Sequence, residues 1–111
     1  MAVSTAKVQG GLLYLVGEER AVCSLDTPEW FAWLETGNSF RYYTPQRITV
    51  TRGYTRPMRP ISVRKEKRRQ GMLWYAYLRT HGQLYKRYVG KTAALTQSKL
   101  DEVSAYLNEI W

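Results

Sequence analysis

The spacing of apolar and polar positions changes along this chain, and each change marks an element. Residues 12–16 (LLYLV) form a short apolar run after Gly10-Gly11. Residues 17–20 (GEER) suit a turn and 21–25 (AVCSL) a return strand, which predicts a hairpin. Residues 1–10 carry no period and are expected to be loose. The segment LDTPEWFAWLETG then takes helical spacing, with Trp30, Phe31, Trp33 and Leu34 on one broad apolar face. Asp26 or Thr27 offers the N-cap oxygen, Pro28 fits the first helical position, and Glu29 favours the positive end of the helix dipole. Gly37 is expected at C′ with positive φ. These signals place a helix at 28–36.

Residues 39–43 (SFRYY) read as a strand. Residues 44–60 contain three of the four prolines and the four arginines Arg47, Arg52, Arg56 and Arg59. A strand at 48–52 fits the pattern. The rest of 44–60 reads either as a flexible basic, Pro-rich connection or as an arm that touches nucleic acid. From residue 61 the period is two. Ile61, Val63 and Lys65 fall on one side, and Ser62, Arg64, Glu66 and Arg68 on the other. Gln70-Gly71 is a turn, 72–80 a strand of strong β formers, His81-Gly82 a two-residue hairpin turn, and 83–89 the return strand closed by Gly90. In 97–110 the helical stripe comes back as Leu100, Val103, Leu107 and Ile110, behind Thr96 as N-cap.

The two-residue turn fixes a register. Thr80 meets Gln83, Arg79 meets Leu84, Tyr77 meets Lys86, Tyr75 meets Tyr88, and Trp74 meets Val89. One face then carries Trp74, Ala76, Leu78, Tyr85, Arg87 and Val89. It is the more apolar, Ala76 leaves room for a helix, and with Ile61 and Val63 it is expected to pack on the C-terminal helix, with Arg87 at the edge. The other face carries Tyr75, Tyr77, Arg79, Leu84, Lys86 and Tyr88, joined by Arg64 and Arg68. A slip of one residue would exchange the faces.

The expected fold is therefore α+β. An N-terminal hairpin and short helix precede a three-stranded antiparallel sheet packed on a C-terminal helix. The chain of 111 residues suits one domain, with an N-terminal β-β-α-β part over 1–60 and a β-β-β-α part over 61–111.

Charge turns this fold toward a function. The chain carries net +8, and residues 61–91 by themselves hold nine Lys or Arg against one acid, Glu66. That segment is also rich in Tyr and Trp. Cations interleaved with aromatics are the composition of a surface that meets nucleic acid. Lys and Arg at phosphates release counterions, and Arg can read guanine with two hydrogen bonds. The longest apolar run is far too short to span a bilayer, and the N-terminus lacks a signal-peptide pattern. A cytosolic protein is expected, on the nucleoid in a bacterium. The single cysteine, Cys23, reads as a small buried residue on a strand, and no Cys/His spacing suggests zinc or another cofactor.

Three antiparallel basic strands followed by one helix resemble two families, the AP2 plant DNA-binding domain and the arm-site-binding domain of tyrosine-recombinase integrases. The resemblance is carried by W-Y-A-Y at residues 74–77, Y-V-G-K at 88–91 and the helix at 97–110, and it covers about 50 residues. It implies a sheet lying in the major groove with a helix behind it, and groove-facing roles for Arg64, Arg68, Tyr75, Tyr77, Arg79, Lys86 and Tyr88. With the neighbouring cations Lys65, Lys67, Arg69, Arg87 and Lys91, these are the candidate DNA-contacting residues. The resemblance further implies sequence-specific binding of double-stranded DNA, in transcriptional regulation or as an accessory factor of a mobile element. No recombinase catalytic domain is present, so recombination does not carry over.

Three other readings stay open. Exposed aromatics on a sheet can stack on the bases of RNA or single-stranded DNA. The basic run can be a solvated face on a module that binds a protein partner, with a homodimer or partner surface in the N-terminal part. An enzyme is not expected. Its one chemical possibility, a Glu66–His81 pair, requires the first hairpin to bring the two together.

Overall fold

The local signals around both helices act as the sequence suggests, with one exchange of roles. The structure is a computed structural model, and it describes residues 6–44 and 47–109. Helix α1, Pro28–Thr36, opens on Pro28 and is capped by Thr27, whose Oγ1 accepts from the Trp30 amide at 3.3 Å. Asp26, the other candidate cap, serves the second helix instead. Its Oδ1 accepts from the amide of Gln97 at 2.9 Å, at the head of α2, Gln97–Asn108. Gly37 departs from expectation, with φ at −73°. A Cβ there would stand 2.8 Å from the Trp33 ring, so packing against the indole, not a left-handed turn, excludes a side chain.

The strands assemble further than expected. Residues 6–9, read as loose, form β1, Ala6–Gln9. It pairs antiparallel with β2, Leu12–Tyr14, across Gly10-Gly11, both at positive φ. The predicted N-terminal hairpin is present but short, since β2 meets only a two-residue β3, Cys23–Ser24. Half-buried Cys23 packs against the core from this strand. On its other edge β1 runs parallel to β4, Ser39–Tyr42, which pairs antiparallel with β7, Ile61–Arg68. Then follow β8, Gly71–Thr80, and β9, Gln83–Gly90. The three basic strands are thus not a sheet of their own. They form one end of a seven-stranded mixed sheet in the order β3-β2-β1-β4-β7-β8-β9. The α+β class stands, and the isolated three-stranded sheet is corrected. Its cause is β4, which gives β7 a partner on the edge that a three-stranded sheet would leave open.

Residues 47–60 also differ from a loose connection. Arg47–Thr51 (β5) and Tyr54–Pro57 (β6) pair as a separate ribbon, turned at Arg52-Gly53, both at positive φ. Arg47 Nε donates to Thr55 Oγ1 at 2.8 Å across this ribbon. Asn108 then pins the returning chain to the end of α2. Its Oδ1 accepts from the Arg59 amide at 2.8 Å, its Nδ2 donates to the Arg59 carbonyl at 3.2 Å, and its own carbonyl accepts from Arg56.

Both helices pack on one side of the sheet. Leu100, Val103 and Leu107 of the predicted stripe are buried in one core with Phe40, Ile61, Val63, Trp74 and Ala76, while Ile110 lies outside the described residues. Aromatic rings join the two halves of the chain. Trp30 meets Phe40 edge-on at 5.3 Å, Phe40 meets Trp74 at 5.8 Å, and the Trp30 indole N–H donates to the Leu95 carbonyl at 2.7 Å. That hydrogen bond satisfies the polar edge of the indole and lets so large a side chain sit inside a small core.

Tyr42 adds a pH-sensitive tie. Its hydroxyl donates to Asp101 Oδ1 at 2.5 Å, and burial, followed by that hydrogen bond, holds its phenol well above the ordinary value. A raised folded-state value gives stability that is complete below the unfolded value near pH 10 and is lost as pH rises beyond it. Tyr42→Phe is expected to cost about 1 kcal/mol at neutral pH and to flatten the fall in stability above about pH 10. Urea unfolding of both proteins at neutral and alkaline pH checks this.

Candidate nucleic-acid interface

The side of the sheet away from the helices is built by strand registers, and the expected hairpin register is present. Thr80 pairs with Gln83, Arg79 with Leu84, Tyr77 with Lys86 and Tyr75 with Tyr88. Only the end differs. Trp74 pairs with Gly90 instead of Val89, across an irregularity where β9 gains one residue. Gly90 sits there at φ 145°, and a Cβ would lie 2.7 Å from that of Ala94.

Cross-strand pairs extend the face beyond the three basic strands. Lys86, Tyr77, Ser62, Arg41, Lys7 and Tyr14 are successive partners across six strands. A second row runs through Tyr88, Tyr75, Arg64 and Ser39. No described helix crosses these rows. Lys7 and Arg41 were absent from the candidate set. Their signal is parity, which can be used only once β1 and β4 are known to join the sheet.

Here tyrosines and cations are layered. Lys86 Nζ lies 4.4 Å from the Tyr75 ring centre, Arg68 lies 4.9 Å from the same ring, and Arg64 lies 5.0 Å from that of Tyr77. The rings are half-buried, while the cations stand in solvent. Hydrogen bonding with Tyr75 is the chief reason that the Arg68 guanidinium is held above its ordinary value. The geometry gives a cationic outer layer on a polarisable aromatic floor.

Glu66 is the one acid in this layer, and it is already occupied. Its carboxylate accepts from Tyr77 and Arg68, and from Lys86 Nζ at 3.2 Å. It competes with any outside anion for two cations. Glu66→Gln is expected to tighten nucleic-acid binding about threefold and to steepen its salt dependence by about one ion. Fluorescence anisotropy over a salt series measures both.

The other candidates are placed differently. Lys65 points to the helix side, where Nζ donates to the Glu35 carbonyl at 3.0 Å and lies 5.3 Å from the Trp74 ring centre. Arg87 is also on that side, 3.9 Å from the ring centre of Tyr106 in α2. Neither belongs to the open face, because alternation sends odd positions of β7 and the partner of Ala76 toward the helices. Lys67 shares this parity but is exposed past the end of β4, and Arg69 occupies the β7–β8 turn. That turn is Arg69-Gln70, one residue earlier than expected. Lys91 returns to the open side. It shares a depression of about 490 Å³ with Arg68, Gln70, Leu73, Tyr75 and Tyr88.

The far part of β7–β8 has a shape of its own. β4 pairs with β7 only as far as Arg64, and β9 meets β8 only as far as Trp74. Residues 66–73 therefore project as a two-stranded overhang, carrying Lys67, Arg68, Arg69 and Gln70. Glu66 and His81 lie at opposite ends of β8. Glu66 pairs with Leu73, eight residues from His81, a separation of roughly 26 Å at strand spacing. The hairpin does not bring them together. Among the described residues no three His, Cys, Asp or Glu side chains are grouped to hold a metal ion, and no helix is long and apolar enough to cross a membrane.

Compared with protein-family models, with curated proteins and with solved structures, the chain has no match in any of the three.

Proposed function

We propose that this protein binds double-stranded DNA, with the overhanging β7–β8 hairpin in the major groove and the open sheet face along the flanking phosphates. The observation that carries this reading is an uncovered face with Lys7, Arg41, Arg64, Arg68, Arg79 and Lys86 on one side of the sheet, and one acid that is already hydrogen-bonded. Dimensions divide the labour. Seven strands span about 29 Å, too wide for a major groove of about 12 Å, whereas a two-stranded ribbon fits. Arg68, Arg69 and Gln70 at the overhang are then placed to reach base edges. The broader face supplies phosphate contacts that set position but carry no sequence.

A second reading, stacking on single-stranded DNA or RNA, is favoured by Tyr88, which is half exposed at the 490 Å³ depression. Against it, Tyr75 and Tyr77 already have cations over their rings. Binding of one sequence as duplex DNA, single-stranded DNA and RNA, compared between about 50 and 200 mM salt, separates the readings. Duplex DNA is expected to bind tightest, with a log–log salt slope near about −5 for five to six phosphate contacts. Equal or tighter binding of single strands would favour stacking, and weak binding without a salt slope would end both.

A further inference from the structure

The most concentrated charge on the open face is not at the overhang but at the opposite end of β7. A depression of about 600 Å³ is lined there by Arg41, Arg59, Arg64 and Arg79, with Ser62 and Tyr77 between them. No carboxylate lines it. Glu66, the acid of this face, is held on the other side of Tyr77 by Tyr77, Arg68 and Lys86. Among the described residues, the side chains of Arg41 and Arg79 have no hydrogen-bonding or ion-pair partner, and that of Arg64 has only the Tyr77 ring. Arg59 Nη1 reaches Thr80 Oγ1 at 3.5 Å, and its backbone is fixed on both sides by Asn108.

Four guanidinium groups around one concavity repel one another, and concave walls focus their potential. Three elements bring them together from distant parts of the sequence. Arg41 comes from β4, Arg64 from β7 with Arg59 just ahead of that strand, and Arg79 from the end of β8. We propose that this depression is a phosphate seat. Planar guanidinium forks match phosphate oxygens, and several forks converging on one anion provide a fit that a single surface arginine does not. The volume is enough for a phosphate with part of the group that carries it. The phosphate can belong to a strand of bound DNA or to a free phosphorylated compound. Only the first source rests on the function proposed above.

The test uses the whole chain and inorganic pyrophosphate as the probe, with sodium chloride at matched ionic strength as reference. Thermal melting is measured for the native protein, for Arg41→Gln with Arg79→Gln, and for a control with Lys67→Gln and Arg69→Gln at the overhang. All four positions are exposed, so these variants are expected to fold. At about ten times its dissociation constant, pyrophosphate should raise the midpoint of the native and control proteins by roughly 5 °C beyond chloride. The Arg41/Arg79 variant should show no such rise. The proposal is overturned if pyrophosphate does no more than chloride, or if the Arg41/Arg79 variant responds like the native protein, whether or not DNA binds. Duplex affinity then assigns the source. A fall of about tenfold in the Arg41/Arg79 variant places a DNA phosphate in the seat. Unchanged affinity, with the pyrophosphate effect intact in the native protein, assigns the seat to a free phosphorylated ligand.

Discussion

Trp74→Ala is expected to remove about 3–5 kcal/mol of folding stability, the range for a fully buried large side chain cut back to a methyl. Trp74 has no exposed surface, and its indole N–H donates to Thr92 Oγ1 at 3.1 Å. Its ring packs on Phe40 of β4, which in turn meets Trp30 of α1. The residue therefore joins the basic hairpin, the N-terminal strands and α1 in one core. With total stabilities of about 5–15 kcal/mol typical, the loss should lower the urea midpoint sharply and the melting temperature by more than about 10 °C. Trp74 faces away from the open side, so DNA affinity measured well below the new midpoint should change little. A loss under about 1 kcal/mol would mean that the core does not run through this indole.

What the sequence disclosed was local, and what it withheld depended on distant partners. The turn at His81-Gly82, with φ values of 53° and 77°, set the β8–β9 register and with it both faces, because alternation leaves no freedom once one pair is fixed. The helix caps were readable for the same reason. By contrast, AKVQ in β1 has only two apolar positions, and its place in the sheet comes from a parallel neighbour more than thirty residues away. No local pattern encodes that pairing. β6 was missed because its sequence, YTRP, contains proline and few apolar residues, yet a ribbon apart from the main sheet tolerates both. The arginine cluster was hidden in turn. Arg41 becomes a neighbour of Arg64 and Arg79 only when β4 lies beside β7.

Alanine at Arg64, Arg68 and Lys86 together is expected to weaken duplex DNA binding about a hundredfold near 0.1 M salt and to reduce the log–log salt slope by about 2.7, for three lost phosphate contacts. The three side chains form the cationic layer over Tyr75 and Tyr77, and none contributes to the buried core. Their removal should leave the melting temperature within a few degrees. The aromatic floor stays, since Tyr77 keeps Glu66 as hydrogen-bond partner. Arg87→Ala is the matched control. Arg87 belongs to the same strand as Lys86 but lies over Tyr106 on the helix side, so its loss should cost less than about threefold, mostly through long-range charge. A simple count of positive charge makes the opposite forecast, in which any cation of residues 61–91 matters equally. Equal losses per charge at Arg87 and at the three open-face positions would therefore remove the open face from the mechanism. A loss confined to the triple variant, with the slope reduced by about three ions, would tie binding to the side of the sheet that the helices leave uncovered.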